Sequence, residues 1–274
     1  MKTRIISGVL GSVLVAATLI LGQYFSIVYN ILVAVVAAVC VREIFKAGAL
    51  LKNFWLLIPS MLFSVLWPLL LKTDYLMLLL FVYFFAMFVI MVTHSEKISF
   101  DKMAFATLSP LVITLGMGSA VLLCYRDLNH ALYYVMLSIA VPWVADSGAY
   151  FVGSFFGKHK LCPNISPKKT IEGAVGGIAA GVLGAVIFAL IFDLFVFSNR
   201  ESTKYLPLVI MAALGGVVSI FGDLSFSIIK RSCHIKDYGT AIPGHGGILD
   251  RCDSLIFTIP FIFIFTEYFP ILSL

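Results

Sequence analysis

The stretch "LVIMAALGGVVSIFGDLSFSIIKRSCHIKDYGTAIPGHGGILDRCDSLIFTIPFIFIF", residues 208–265, decides the fold. Both of its ends are long apolar runs. Between them, residues 236–253 hold three carboxylates, two cations, a histidine and four glycines. About twenty apolar residues are what a helix needs to cross roughly 30 Å of hydrocarbon. Two spans joined by a polar, bendable segment are therefore expected here, and the same alternation recurs along the chain. Of the 274 residues, 61% are hydrophobic and 12% charged, and the mean hydropathy is +1.05. A soluble domain carries about twice that charged share. The composition predicts an all-α, polytopic integral membrane protein. Its net charge of +5 is ascribed to loops on one side of the membrane, and no nucleic-acid partner is implied.

Working outward, candidate spans lie near 5–22, 24–41, 54–71, 75–93, 104–124, 131–153, 171–198, 205–229 and 254–271, about nine in all. Backbone donors in lipid must be satisfied within the segment, and no ten-residue alternation suggests a barrel, so these are helices. The start, "MKTRIISGVLGSVLVAATLILG", resembles a signal peptide but runs straight into further apolar chain, so a retained first span is expected. With a cytoplasmic N-terminus, 15 of the 19 lysines and arginines fall on the cytoplasmic side, which fixes the orientation. Five scattered cysteines with no CxxC pair predict no disulfide framework. Residues 1–125 read as scaffold helices with little interior charge. Residues 126–274 read as the catalytic region, with polar cytoplasmic loops at 154–170 and 230–253.

An ionisable residue inside a span is costly, which marks it as a functional candidate. Asp223, Ser227, Lys230 and Arg231 stand at i, i+4, i+7 and i+8 and share one helix face; a plain Asp223–Lys230 tether is the bland alternative. Asp250 and Asp253 precede the last span, where acidic N-capping would account for one of them but hardly for both. Carboxylates from separate helices with open positions suit magnesium that also grips phosphate oxygens. Asp223 and Asp250 are the expected pair, with Asp253 and Asp146 completing the cluster. A salt bridge to Lys158 or Lys160 is the alternative for Asp146. Gly244, Gly246 and Gly247 allow a backbone nest for anionic oxygens, although such runs also mark ordinary turns. His245 is either a packed loop residue or a catalyst. A zinc site from Cys233, His234, His245 and Cys252 fits no usual ligand spacing. Lys168 and Lys169 precede Thr170, a candidate N-cap, with Glu172 in the first turn, so this helix start can receive an anion. Positive-inside anchoring is its plain counterpart. Gly173, Gly177 and Gly181 recur every four residues and predict close helix packing.

The run "SIIKRSCHIKDYGTAIPGHGGILDRCDS", Ser227 to Ser254, resembles the signature of the phosphatidate cytidylyltransferases, the CDP-diacylglycerol synthases. Its fixed elements are Ser227, Lys230, Arg231, Lys236, Asp237, Pro243, His245, Gly246, Gly247, Asp250, Arg251 and Asp253. "DSGAYFVGSFFGKHKL" and "SPKKTIEG" resemble the family's other polar stretch. The resemblance implies that CTP and phosphatidic acid give CDP-diacylglycerol and pyrophosphate with Mg2+, a second cation being compatible. A bacterial inner membrane is the expected location, and the lysine and arginine placement puts the site on its cytoplasmic side. Lys230, Arg231, Lys236 and Arg251 would meet one anion, and Lys168, Lys169 and Thr170 the other. Small-residue helix faces are compatible with a homodimer among membrane lipids. Two rival readings are a CTP-using polyprenol kinase, which should lack the full signature, and a secondary transporter of an anionic solute, which should show repeat symmetry and mid-bilayer polar groups.

Overall fold

The structure is a computed structural model that describes residues 17–18, 21–22, 25–197, 201–241 and 246–273. Its helices are α1 Ile27–Ala47, α2 Phe54–Leu70, α3 Leu76–Thr93, α4 Phe100–Arg126, α5 Ala131–Phe156, α6 Ile171–Phe195, α7 Tyr205–Ser232, the single turn α8 Leu249–Cys252, and α9 Leu255–Tyr268. Six helices among the described residues are long and apolar enough to cross a membrane. The expected first span, near 5–22, lies largely outside the described residues. The expected third and ninth spans are helices of 17 and 14 residues, below that length. Proline sits inside both, and Pro270 follows the end of α9.

The all-α expectation holds, with two short strand pairs beside the helices. Residues 160–170 form a hairpin, β1 Lys160–Cys162 against β2 Ser166–Thr170, and Ser202–Thr203 (β3) pairs with Leu272–Ser273 (β4). Pro163 and Pro167 each fix φ near the extended region and push the preceding residue out of the helical one. The loop thus takes strand geometry, not an open turn.

The chain forms two compact units. The first comprises Met1–Ala131 with Ser232–Cys252, the second Leu132–Arg231 with Asp253–Leu274. In the first, α1 packs on α2 and α4, and α3 packs on α2 and, more lightly, on α4. Phe63 stacks on Tyr83 with ring centroids 4.3 Å apart, and Tyr83 donates to the Thr107 carbonyl at 3.0 Å. Buried Asn30 donates to the Pro68 carbonyl and accepts from the Tyr125 hydroxyl, both at 2.6 Å. Asn30 and Tyr83 carry polar groups into the apolar interior and find partners there, whereas the buried Thr114 hydroxyl of α4 has none. Helix α3 is apolar all round and exposes Met77, Phe81, Phe85, Phe88 and Val92, the surface of a lipid-facing helix.

In the second unit, the expected close packing at Gly173, Gly177 and Gly181 is borne out. These residues meet Ala145, Ala149, Gly153 and the Val141 carbonyl of α5. A Cβ built at Gly177 would stand 2.7 Å from the Ala145 carbonyl oxygen and 2.8 Å from the Ala149 Cβ. Because backbone is what it would hit, Gly177→Val should prise α5 from α6. We expect destabilisation of about 2–3 kcal/mol, seen as earlier thermal loss of the monodisperse protein in detergent. At the far end of α6, Asp193 accepts from the Thr203 N–H, the Thr203 hydroxyl and the Tyr205 hydroxyl, tying α6 to α7.

Candidate active site

In the second unit four elements bring charge together. Thr170 is the N-cap of α6, as expected: its hydroxyl accepts from the Gly173 N–H at 3.1 Å. Glu172, in the first turn, accepts from the backbone N–H groups of Lys158 and His159 and lies 2.6 Å from His159 Nδ1. The hairpin is thus fastened to the helix start. Successive strand residues point to opposite faces, so the hairpin divides the two lysines. Lys168 is exposed, whereas Lys169 pairs with Asp223 of α7. Ser227, one turn beyond Asp223, donates to its other oxygen at 3.3 Å.

Lys230 does not tether Asp223. Its ammonium is 3.6 Å from the Asp253 carboxylate, and both side chains are about nine-tenths buried. Asp253 also accepts from the Ser254 N–H at 2.9 Å. Gly222 makes the approach possible, since a Cβ there would lie 3.1 Å from the Asp253 carbonyl and 3.2 Å from the Ser254 Cα. The glycine beside Asp223 therefore lets the Asp253 turn settle against α7. Arg231 is exposed and its Nε donates to the Ile165 carbonyl at the hairpin turn, at 3.4 Å.

Burial pushes the Asp253 carboxyl up to about 7; the Asp223 carboxylate adds to this, Lys230 opposes it, and Asp146 contributes a smaller push upward. Three carboxylates thus repel one another in one place. Because the folded chain holds this proton more tightly than an ordinary carboxyl, stability from the group is full below about pH 4 and is lost as pH rises to about 7. In EDTA, Asp253→Asn should flatten the fall in apparent Tm across that window; a slope identical to the parent's would contradict the assignment.

In the first unit, the 232–252 segment is held by acids. Asp250, in α8, accepts from the Tyr238 N–H at 2.8 Å and the Gly247 N–H at 3.1 Å through one oxygen. Gly246 takes a φ of +87°, a conformation that glycine alone adopts freely. Lys236, Asp237 and Arg251 are exposed. Gly244 and His245 lie outside the described residues. Asp250 belongs to this unit and Asp223, Asp253 and Asp146 to the other. Among the described residues, no three His, Cys, Asp or Glu side chains gather at metal-binding spacing.

Two participants escaped sequence reasoning. One is Gly222, whose meaning depends on a turn thirty residues away. The other is Glu43 of α1, a buried acid whose carboxylate accepts from the Leu249 N–H at 2.8 Å. A lone acid in the apolar run 27–45 was the available signal.

Long apolar helices around one buried and one half-buried lysine–aspartate pair define an integral membrane protein with a charged site at its helix ends. The chain belongs to the Cytidylyltransferase family, whose family model matches residues 2–269. It is 33% identical to the phosphatidate cytidylyltransferase of Bacillus subtilis (strain 168) over 98% of each chain. Proteins of that same description from Haemophilus influenzae and Staphylococcus saprophyticus are 38% and 37% identical. The first match covers 58% of this chain and 54% of the relative, the second 62% and 61%.

Proposed function

We propose that the chain transfers CMP from CTP to phosphatidate, giving CDP-diacylglycerol and pyrophosphate. The observation that carries this reading is the paired arrangement Lys169–Asp223 and Lys230–Asp253, in a chain of the cytidylyltransferase family. An oxygen of the lipid phosphate attacks the α-phosphorus of CTP in line. The bond from the α-phosphorus to its bridging oxygen breaks, and pyrophosphate departs from the opposite side. No covalent enzyme intermediate is needed, because the nucleophile is already anionic. What the protein must supply is charge: two polyanions have to be brought into contact, and negative charge grows on the leaving group.

Magnesium fits the residues present. It takes oxygen donors and commonly uses one or two carboxylates together with phosphate oxygens and water. Asp223 and Asp253 offer such a donor set, and their mutual repulsion calls for positive charge. We assign them to the ion, with Asp146 of the same unit as a further ligand or orienting group; Asp250, which belongs to the other unit, keeps its assignment to the reaction. When bound, the ion would neutralise charge on the α-phosphate and the departing pyrophosphate. Lys169 and Lys230, each paired with a carboxylate, would exchange that partner for phosphate oxygens. Lys168 and Arg231 extend the cationic surface of this unit toward triphosphate and lipid phosphate, and Lys236 and Arg251 offer further cations in the other unit.

The same reading has about nine spans, a cytoplasmic N-terminus and a site on the cytoplasmic face of a bacterial inner membrane. Its support is the 15-to-4 division of lysine and arginine and the bacterial sources of the relatives. Chemistry is assigned to 126–274 and support to 1–125. A homodimer would have to use faces other than Gly173, Gly177 and Gly181, which α5 covers. Incubation of the purified protein with labelled CTP and phosphatidate should give lipid-bound cytidine label and released pyrophosphate. Phosphorylated polyprenol without cytidine transfer, or solute movement across vesicles alone, would sink the proposal.

A further inference from the structure

Glu43 lies near the end of α1 among Cys40, Val41, Ile44 and Phe45, all fully buried, and is itself 4% exposed. Nothing in cytidylyl transfer as set out above uses it. Yet the signature segment closes around it from two sides. The Leu249 N–H, the first of the α8 turn, donates to its Oε2 at 2.8 Å. A Cβ at Gly247 would stand 2.6 Å from Oε2 and 2.8 Å from Oε1, and one at Gly239 would stand 2.3 Å from Oε1. No positive φ is recorded at Gly239 or Gly247, so these positions lack side chains for want of space, not for backbone conformation. The backbone before and after residues 242–245 thus folds onto one carboxylate supplied by the front half of the chain. An acid in such surroundings is unfavourable unless N–H groups and backbone dipoles face it.

We propose that Glu43 is a positioning residue for the reaction: an internal hydrogen-bond acceptor that fixes the Gly247–Leu249 backbone and the turn presenting Asp250. Two neighbouring donors are divided between two acids. The Leu249 N–H goes to Glu43 and the Gly247 N–H to Asp250, so the geometry of the Asp250 carboxylate depends on the loop that Glu43 holds. The proposal rests on assigning Asp250 to the reaction.

Its test uses the full-length protein in mixed lipid–detergent micelles, with steady-state kinetics and the rate of N-ethylmaleimide labelling at Cys252, resolved by peptide mass spectrometry. Cys252 closes the α8 turn and is buried. For Glu43→Ala we expect kcat to fall about 30-fold, with KM for CTP within about threefold, and Cys252 to label about fivefold faster. Glu43→Gln keeps an oxygen for the Leu249 N–H and should hold kcat within about threefold of the parent, with labelling unchanged. Both changes in Glu43→Ala, together with rescue by glutamine, support the proposal. Either change alone, or a glutamine variant as impaired as alanine, overturns it. If Glu43→Ala fails to elute as a monodisperse protein, Gly247→Ala, whose Cβ presses on the same carboxylate, takes its place with the same criteria. A parent protein that transfers no cytidylyl group overturns the assigned reaction instead, while the thiol rates still decide whether Glu43 holds the loop.

Discussion

Asp223→Asn is expected to lower kcat by at least about a thousandfold while leaving the protein folded. Removing one preorganised electrostatic contact from a transition state costs about 10²–10³-fold, and Asp223 serves more than one partner. It neutralises Lys169, accepts from Ser227 and shapes the charge state of Asp253. Asparagine keeps an oxygen for Ser227 but loses the charge that a divalent ion requires. Stability should change little, because Lys169 and Asp223 each retain about a quarter of their side-chain exposure and a partly solvated pair contributes little. The measurement is single-turnover transfer of labelled cytidine to phosphatidate at saturating magnesium. Activity within tenfold of the parent would remove Asp223 from the ion-binding role.

The second large effect concerns stability, and its sign reverses in a double variant. Well above pH 7, where Asp253 of the parent is ionised, Lys230→Met should cost about 3–5 kcal/mol, because it leaves the buried carboxylate without the ammonium that opposes its protonation. Adding Asp253→Asn should recover most of that loss, since the uncompensated charge is then gone. Activity should not recover in the double variant, because both groups are assigned to substrate or ion. Thermal unfolding and cytidylyl transfer measured on the same three proteins separate the two roles. If the double variant is no more stable than Lys230→Met, the Lys230–Asp253 pair contributes nothing that its geometry suggests.

Local signals carried far in this chain. Thr170 could be read as a cap from its place before an apolar run, and the four-residue recurrence of Gly173, Gly177 and Gly181 implied a tight helix contact. Both depend on neighbours a few residues apart. Pairing between elements was harder to read. Asp223 and Lys230 share a helix face, yet seven residues of rise separate them by about 10.5 Å, so each finds its partner on another element. Lys168 and Lys169 looked like one cationic unit until strand geometry sent them to opposite sides. Glu43 was the least legible, because its bond to Leu249 joins residues 206 apart in sequence. The front half had been read as support with little interior charge; in the structure it also supplies an acid to the signature segment.

The length of α9 carries a further consequence. Fourteen residues rise about 21 Å, some 9 Å less than the oily slab of a typical bilayer. Asp253 and Ser254 sit at the start of this stub. A segment that short either dimples the leaflet or draws its polar end below the headgroup plane. In both cases an esterified phosphate could meet Asp253 and Lys230 while its fatty tails stay dissolved among their neighbours. The enzyme would then work on its greasy substrate without first extracting it.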